Sequence, residues 1–229
     1  MRLIHYLNEE NDNTIDVIKR ECKPFLNEFG KCYKNRNFIY RGMKRGIPGK
    51  IELKVVRKDR RPKIIRKELH EYLSKISKEL FGWDIRSEGA FTADSFIASR
   101  FGKVGIFIPI GIYKYVYVDL TKSDIYSLYD GYSDHMDARK NWKHHKKSKY
   151  WEGREEDIKK KDKMIEDDEK HYLERIYKEY KNNYKNDGLS KLLGGSRQHI
   201  FESIFRCDKY FIITAKFYNE NIKHIFEEL

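Results

Sequence analysis

The chain has 229 residues and a formal net charge of +12, with 48 Lys and Arg against 36 Asp and Glu. Hydrophobic residues make up 39% and aromatic residues 14%, which excludes a largely disordered chain and suffices for a buried core. No apolar run approaches the ~18 residues that a membrane span needs. Three cysteines without a CxxC pair exclude a disulfide framework and a cysteine zinc site. We therefore expect a cytoplasmic protein with a single domain over residues 1–229.

The positive charge is concentrated in one part of the chain. Residues 31–67 contain fifteen Lys and Arg and two acidic residues, so this segment carries essentially all of the net charge. A second basic cluster, residues 139–149, contains six basic residues and no acid. Such density favours phosphate-rich partners, namely a nucleic acid or a dinucleotide, or an acidic protein face. Composition does not separate these three.

The first half of the chain alternates between helix and strand signals. Apolar residues at helical spacing predict a helix over residues 15–29 that is interrupted at Pro24. Two short β-rich segments, 38–41 and 51–55, predict strands. A clear apolar stripe predicts a helix over residues 65–80, with Pro62 at its start and Gly82 at its end.

The second half combines β-rich runs with one long charged region. A strand is predicted over 89–92 and a short helix over 95–101. The runs 104–110 and 113–118 predict either a hairpin or one strand bent at Pro109. The intensely charged region of about 134–187 predicts a helical insertion that packs on the periphery through an Ile/Tyr stripe. Strands over 199–205 and 210–214 and a closing helix over 221–229 complete an α+β layout.

Three polar residues stand inside or beside otherwise apolar strand segments. Arg41 follows Phe38-Ile39-Tyr40 at the end of the first predicted strand, Thr92 follows Ala90-Phe91, and Glu202 lies within the late strand. Each of them alone is typical of a strand edge that faces water. Together, on three separated strands, they indicate a site, because buried strands rarely carry isolated polar groups without a reason.

The ordered triplet resembles a known family. The segment Tyr40-Arg41-Gly42, the segment 91–101 and Glu202 are similar to the motifs of ADP-ribosyltransferases of the arginine–serine–glutamate type, including those of T4-like bacteriophages. This resemblance implies a two-sheet β core that forms an NAD cleft, with flanking helices. It also implies an enzyme that cleaves NAD+ and transfers ADP-ribose to a macromolecule, in a phage-related setting.

The resemblance implies a role for each matching residue. Glu202 would offset the charge of the oxocarbenium-like ribose, and Arg41 would bind the phosphate and ribose region of NAD. Thr92 would orient the glutamate or the ribose. We expect these three side chains to converge on one NAD, the co-substrate. The residues implied in NAD binding are Tyr40, Arg41, Gly42, Thr92, Phe96 and Phe101, with one of the aromatic rings stacked on nicotinamide.

The acceptor is less constrained by the motifs. Arginine-modifying relatives carry Glu or Gln two residues before the catalytic glutamate, and this chain has Ile200 there. The basic segment favours a nucleic acid slightly over a host protein as the acceptor. The residues expected to contact it are Gln198 and His199 in the loop before the late strand, and Arg57, Arg60 and Arg61 in the basic segment.

Two other functions stay open at this point. One is an NAD glycohydrolase, in which water accepts the ADP-ribose. The other is a basic nucleic-acid-binding protein without catalysis, in which the triplet is a coincidence. No metal site is expected, because His135, His144 and His145 lack carboxylate or cysteine partners at ligand spacing.

Overall fold

A computed structural model describes residues 11–45, 50–58, 65–123, 125–195 and 200–227. These residues form an α+β fold with one eight-stranded antiparallel sheet and several helices. The strands are β1 Tyr40–Met43, β2 Ile51–Val55, β3 Ala90–Ala93, β4 Lys103–Ile110, β5 Lys114–Asp119, β6 Tyr184–Lys185, β7 Phe201–Arg206 and β8 Lys209–Ile213. The helices are α1 Asn11–Glu21, α2 Lys23–Lys34, α3 Lys67–Phe81, α4 Ile85–Glu88, α5 Ser95–Ser99, α6 Ile125–His145, α7 Glu155–Asn183, α8 Leu189–Gly194, α9 Ala215–Phe217 and α10 Lys223–Glu227.

The predicted helices of the first half are confirmed where the structure describes them. The break at Pro24 separates α1 from α2, and Pro24 lies in the first turn of α2, where a backbone N–H has no helical partner to lose. Helix α3 ends at Gly82, whose φ of 75° places it in the left-handed region that glycine adopts without strain. Pro62, the predicted start of α3, lies outside the described residues.

The strand order is β2-β8-β4-β1-β3-β7-β5-β6. Only one residue pair, Tyr40 with Ala93, joins β1 to β3. Strands β5 and β6 pair over two residues, and all other neighbouring strands pair over at least four. We call β2, β8, β4 and β1 the first half-sheet, and β3, β7, β5 and β6 the second half-sheet. The expected pair of separate sheets is therefore wrong: the described strands form one sheet with a narrow join.

The expected hairpin or bent strand over 104–118 is also wrong. Strand β4 pairs with β1 and β8, whereas β5 pairs with β6 and β7, so the two strands never pair with each other. Pro109 lies within β4, opposite Tyr210. Only residues 111–113 link the two half-sheets here. The hydrophobic pattern identified both strands but carried no information on their partners.

This short link requires the sheet to fold over. Three linking residues allow the ends of β4 and β5 to be about 14 Å apart at most. Strands four places apart in a flat sheet would be about 19 Å apart. The rings of Phe107 on β4 and Phe205 on β7 are in fact in contact, with centroids 5.1 Å apart. The half-sheets therefore face each other, and we call the face that carries these two rings the inner face.

Two hydrophobic cores lie on the two sides of the second half-sheet. The first contains Phe107 and Phe205 together with rings of α2 such as Phe25 and Phe29. The second lies on the opposite side, which we call the outer face, where Ile204 packs. The second core is built by α3, α4, α6 and α7 with β5 and β7; its large members are Leu69, Leu73, Ile76, Trp83, Tyr129, Tyr132, Ile176, Tyr180 and Tyr184.

The charged region predicted as a helical insertion, about 134–187, contains the second half of α6 and all of α7. Helices α6 and α7 pack on each other, and we call them and the turn between them the α6–α7 hairpin. The Ile/Tyr stripe of α7 contacts the rest of the fold, because Ile176 and Tyr180 are buried members of the second core. These side chains each contribute about 1.5–3 kcal/mol through burial.

Candidate active site

The strands that carry the predicted triplet are neighbours in the sheet. Arg41 lies on β1, Thr92 on β3 and Glu202 on β7, and these strands are consecutive in the strand order. Across them runs one row of paired residues, in which Ala93 lies between Tyr40 and Glu202. Residues more than 100 positions apart in the sequence are thus placed on adjacent strands.

Glu202 lies on the outer face of the second half-sheet. It pairs with Val118 of β5, which belongs to the second core, and its neighbour Ser203 points to the other side. Only 9% of Glu202 is exposed. Its Oε2 accepts a hydrogen bond from the Tyr126 hydroxyl at 2.6 Å. This bond offsets part of the cost of removing a carboxylate from water.

Arg86 provides positive charge beside Glu202. This half-buried residue of α4 places its guanidinium 5.0 Å from the centre of the Phe91 ring and 6.0 Å from that of Tyr129. Burial alone lowers the pKa of Arg86, but the negative charges of Tyr180 and Tyr129 in their ionised forms and of Glu202 outweigh it and raise the pKa above its usual value. Arg86 therefore stays charged.

The position of Arg86 follows from its short local sequence. Asp84 caps α4, and its Oδ1 accepts hydrogen bonds from the backbone N–H groups of Arg86 and Ser87, both at 3.1 Å. Trp83 and Ile85 are buried in the second core and anchor the turn on either side. The cap and these two buried side chains fix the backbone at Arg86, and therefore fix the point from which its side chain extends.

Tyr126 donates the hydrogen bond that Glu202 accepts, and it is 47% exposed. Burial, the charge of Glu202 and the hydrogen bond to it all raise the pKa of Tyr126. Tyr126 therefore stays protonated at neutral pH and donates to Glu202. We call Glu202, Arg86 and Tyr126 the Glu202 cluster.

A layer of tyrosines lies behind the Glu202 cluster. The hydroxyls of Tyr129 and Tyr180 are 2.7 Å apart, and the rings of Tyr180 and Tyr184 stack with centroids 4.3 Å apart. Burial raises the pKa of each of these three tyrosines. Their hydroxyls are therefore neutral, and they supply a polar but uncharged lining on the core side of the cluster.

Thr92 does not join Glu202, which corrects the expected convergence. Thr92 pairs with Ser203, and its Oγ1 lies 2.7 Å from the Ser203 Oγ and donates to the Ser203 carbonyl at 3.1 Å. Adjacent residues of a strand point to opposite faces, so a threonine bonded to Ser203 faces away from Glu202. Thr92 is a buried cross-strand contact on the inner face.

Arg41 does not face Glu202 either. Its Nη1 donates to the Phe91 carbonyl at 2.5 Å, and its guanidinium lies 5.3 Å from the centre of the Tyr210 ring. Phe91 belongs to the second half-sheet and Tyr210 to the first. Arg41 thus bridges the half-sheets beside the narrow join between β1 and β3. The strands of the triplet converge, whereas its side chains do not.

Gly42 permits the close packing of α5 on β1. A Cβ atom on Gly42 would lie 2.2 Å from the Ala98 carbonyl oxygen and 2.7 Å from the Phe101 Cβ. Gly42 shares a face with Tyr40, which lies in the same residue row as Glu202. Helix α5 therefore covers β1 on the outer face, the face that carries the Glu202 cluster.

Two aromatic side chains around α5 are exposed. Phe96 is 56% exposed and Phe101 is 58% exposed. Asp94 caps α5 through its Oδ1, and its Oδ2 accepts from the Phe201 N–H at 3.0 Å, so the helix is tied to the start of β7. The Arg100 guanidinium lies 4.8 Å from the centre of the Phe96 ring, so Phe101 is the more open of the two rings.

The expected acceptor contacts are mostly untested by the structure. Gln198, His199, Arg60 and Arg61 lie outside the described residues. Arg57 follows β2 and is exposed. Ile200 is 37% exposed and extended beside β7, with its carbonyl accepting from the Leu120 N–H at 2.8 Å.

Two clefts of about 450 Å³ lie away from the triplet. Both are lined by residues 112–114, at the end of β5 opposite to Val118. None of Arg41, Thr92 and Glu202 lines either cleft.

Among the described residues no group of His, Cys, Asp and Glu is arranged to hold a metal, and no helix is long and apolar enough to cross a membrane.

Sequence reasoning missed Arg86 and Tyr126. The segment Trp83-Asp84-Ile85-Arg86 contained a signal, since a cap residue lies between two apolar residues and a cation follows them shortly before a strand. Nothing in the sequence around Tyr126 distinguishes it from the many other tyrosines of the chain.

Comparison with known proteins finds no match to a protein-family model, a curated protein or a solved structure.

Proposed function

We propose that the chain is a mono-ADP-ribosyltransferase that cleaves NAD+ at the outer face and uses Glu202 as the catalytic carboxylate. The observation that carries this proposal is the Glu202 cluster: a nearly buried carboxylate, held by a tyrosine hydroxyl at 2.6 Å beside a permanently charged guanidinium. The order of the motifs around Arg41, Thr92 and Glu202 in the sequence also supports it.

The reaction needs a fixed negative charge. Departure of nicotinamide leaves an oxocarbenium-like ribose, and a preorganised carboxylate stabilises that charge as it develops. Arg86 supplies a positive charge next to the Phe91 and Tyr129 rings on the same face. Tyr126 donates to Oε2 and thereby fixes the orientation of the carboxylate. Tyr126 takes over the orienting role that the motifs assign to Thr92.

Two arginines, Arg41 and Arg86, are candidates for binding the phosphates of NAD. Arg41 bonds a backbone carbonyl and stacks on Tyr210, which suits a residue that holds the half-sheets in position. The resemblance assigns the NAD phosphates to it. Comparing NAD affinity in variants of both arginines decides between these roles.

The acceptor is proposed to be a nucleic acid. In an extended chain Ile200 lies on the same side as Glu202, and its side chain offers an apolar surface. Such a surface suits the flat face of a base better than the guanidinium of an acceptor arginine. The 31–67 segment supplies positive charge for the phosphates. A host protein remains the other acceptor class that the sequence allows.

The deciding experiment uses NAD+ labelled in its adenylate part, incubated separately with total RNA, with single-stranded DNA and with cell protein. Label in RNA or DNA, absent with the Glu202→Gln protein, is the expected result. Label in protein changes the acceptor, and free ADP-ribose alone indicates a glycohydrolase. Intact NAD+ in every mixture overturns the proposal and leaves a binding protein without catalysis.

A further inference from the structure

The end of the α6–α7 hairpin carries an ordered group of aromatic rings. Trp142 near the end of α6 and Trp151 in the connecting turn pack perpendicular to each other, with ring centroids 4.8 Å apart. Tyr150 packs on Trp151 at 5.3 Å and is 66% exposed. Trp142 is buried and donates its Nε1–H to Asp162 of α7 at 2.8 Å. The group is thus anchored at one end and open to solvent at the other.

A guanidinium is stacked against the open end of this group. The Arg154 guanidinium lies 5.0 Å from the centre of the Tyr150 ring and 4.8 Å from that of Trp151. Asp157 forms an ion pair with it, with its Oδ2 2.9 Å from the Arg154 Nη2. Rings and guanidinium are already arranged in the free protein, so little conformational freedom is lost when a flat ligand stacks on them.

The same end is strongly basic. Residues 139–154 contain seven Lys and Arg, two His and a single acid, Glu152. Three of these cations are paired within the hairpin: Arg139 with Glu169, Lys146 with Asp162 and Arg154 with Asp157. The remaining four, Lys140, Lys143, Lys147 and Lys149, are exposed. Exposed lysines around an exposed ring combine the two features that single-stranded nucleic acids bind, a cationic path for phosphates and a platform for bases.

We propose that this end of the hairpin, named here the hairpin tip (residues 140–154), binds single-stranded nucleic acid. An unpaired base stacks on Tyr150, and Lys147 and Lys149 contact the phosphates on either side of it. A duplex hides its base faces and does not reach the Tyr150 ring. An acidic peptide would use the lysines but gain nothing from the exposed ring, so the aromatic platform favours a nucleic acid.

The hairpin tip is distant from the Glu202 cluster. Helix α6 starts beside Tyr126 and ends at His145, which is roughly 30 Å along the helix axis at about 1.5 Å per residue. Binding at the tip is therefore independent of NAD cleavage and does not rest on the proposed function. In a transferase that acts on nucleic acid, the tip would hold part of the acceptor outside the NAD site.

The test measures binding of a fluorescein-labelled 20-nucleotide RNA of mixed sequence to the full chain by fluorescence anisotropy, without NAD. Tyr150→Ala is expected to weaken binding about tenfold, because stacking of one base contributes about 1–3 kcal/mol. The double variant Lys147→Glu with Lys149→Glu is expected to weaken binding and to reduce the slope of log K against log salt by roughly 1.4, at about 0.7 per phosphate contact.

The matched control carries the same change of charge elsewhere. Lys75→Glu with Lys178→Glu alters exposed residues of α3 and α7 away from the tip, and binding should stay within about twofold of the unmodified protein. Equal weakening by this control would show that only total charge matters and would overturn the proposal. Unchanged affinity in Tyr150→Ala, or tighter binding of the matching duplex than of the single strand, would overturn it as well. Circular dichroism of each variant verifies that it is folded.

Discussion

The two faces of the sheet use polar residues in different ways. On the inner face of the second half-sheet Thr92 bonds Ser203, and Arg41 of the neighbouring β1 bonds the Phe91 carbonyl, so each polar group is matched by a partner from a neighbouring strand. On the outer face Glu202 depends on Tyr126, a half-exposed side chain from a helix. A polar group satisfied by the sheet itself stabilises the fold, whereas one satisfied from a helix at the surface can exchange that partner for a ligand.

The largest effect expected from this comparison is on Glu202. Glu202→Gln keeps the shape and the hydrogen bond from Tyr126 but removes the charge to which we assign the stabilisation of the oxocarbenium ion. We expect turnover to fall about 10²–10³-fold, whereas the affinity for NAD changes little, since intact NAD has no oxocarbenium charge. Single-turnover kinetics together with calorimetry measures both quantities. Near-normal turnover would remove Glu202 from the chemistry.

The two arginines give the next comparison. Arg41→Ala leaves the Phe91 carbonyl without its charged donor and should lower the free energy of unfolding by about 1.5–3 kcal/mol. Arg86→Ala removes the guanidinium that lies near the Phe91 and Tyr129 rings in the Glu202 cluster, and we expect turnover to fall while the free energy of unfolding changes less than in Arg41→Ala. Urea unfolding and turnover at one fixed pH provide the measurements.

The opposite pattern would reverse the assignment of the two arginines. If Arg41→Ala mainly weakens NAD binding and leaves stability unchanged, Arg41 contacts the phosphates, as the motif implies. Arg41→Lys refines the comparison, because lysine keeps the charge but loses the planar stacking on Tyr210.

Tyr126→Phe should have a smaller effect on rate. It removes one hydrogen bond to a charged group, worth about 1.5 kcal/mol, and we expect turnover to fall about tenfold. The apparent KM for NAD should rise less than turnover falls, because the carboxylate loses orientation rather than charge. Tyr177→Phe, which removes a hydroxyl bonded to Glu79 away from the Glu202 cluster, is the matched control and should leave turnover unchanged.

Thr92→Val should have the smallest effect on rate and a measurable effect on stability. The substitution keeps the shape but removes the Oγ1 that bonds Ser203 inside the inner face. We expect the free energy of unfolding to fall by about 1–3 kcal/mol, because the buried Ser203 hydroxyl loses its partner, while turnover per folded molecule is unchanged. A loss of turnover without a loss of stability would return Thr92 to the catalytic residues.

The sequence predicted elements better than it predicted directions. Helix α3 and the strands carrying Arg41, Thr92 and Glu202 follow from periodicity and punctuation over a few residues. Which face a strand residue occupies depends on the register with its neighbour, and a slip of one residue reverses every side chain. The register that pairs Thr92 with Ser203 rather than Glu202 is not encoded locally, so the expected convergence failed.

Partners across the sheet were equally inaccessible. Strands β4 and β5 are separated by three residues, which suggested a hairpin, yet each belongs to a different half-sheet. The pairing is set by the combined burial of rings such as Phe107 and Phe205, which no local pattern reveals. Arg86 was missed because a four-residue helix leaves too short a periodic signal.

The single residue pair between β1 and β3 has a consequence for motion. Separating Tyr40 from Ala93 breaks few backbone hydrogen bonds, whereas the far ends of the half-sheets are held together by the links at 111–113 and 207–208. Local opening of the sheet is therefore concentrated beside Glu202 and is restrained elsewhere by the covalent chain. Amide hydrogen exchange should be faster in β1 and β3 than in β5 and β8. The Glu202 cluster then lies beside the two strands whose separation costs the least free energy.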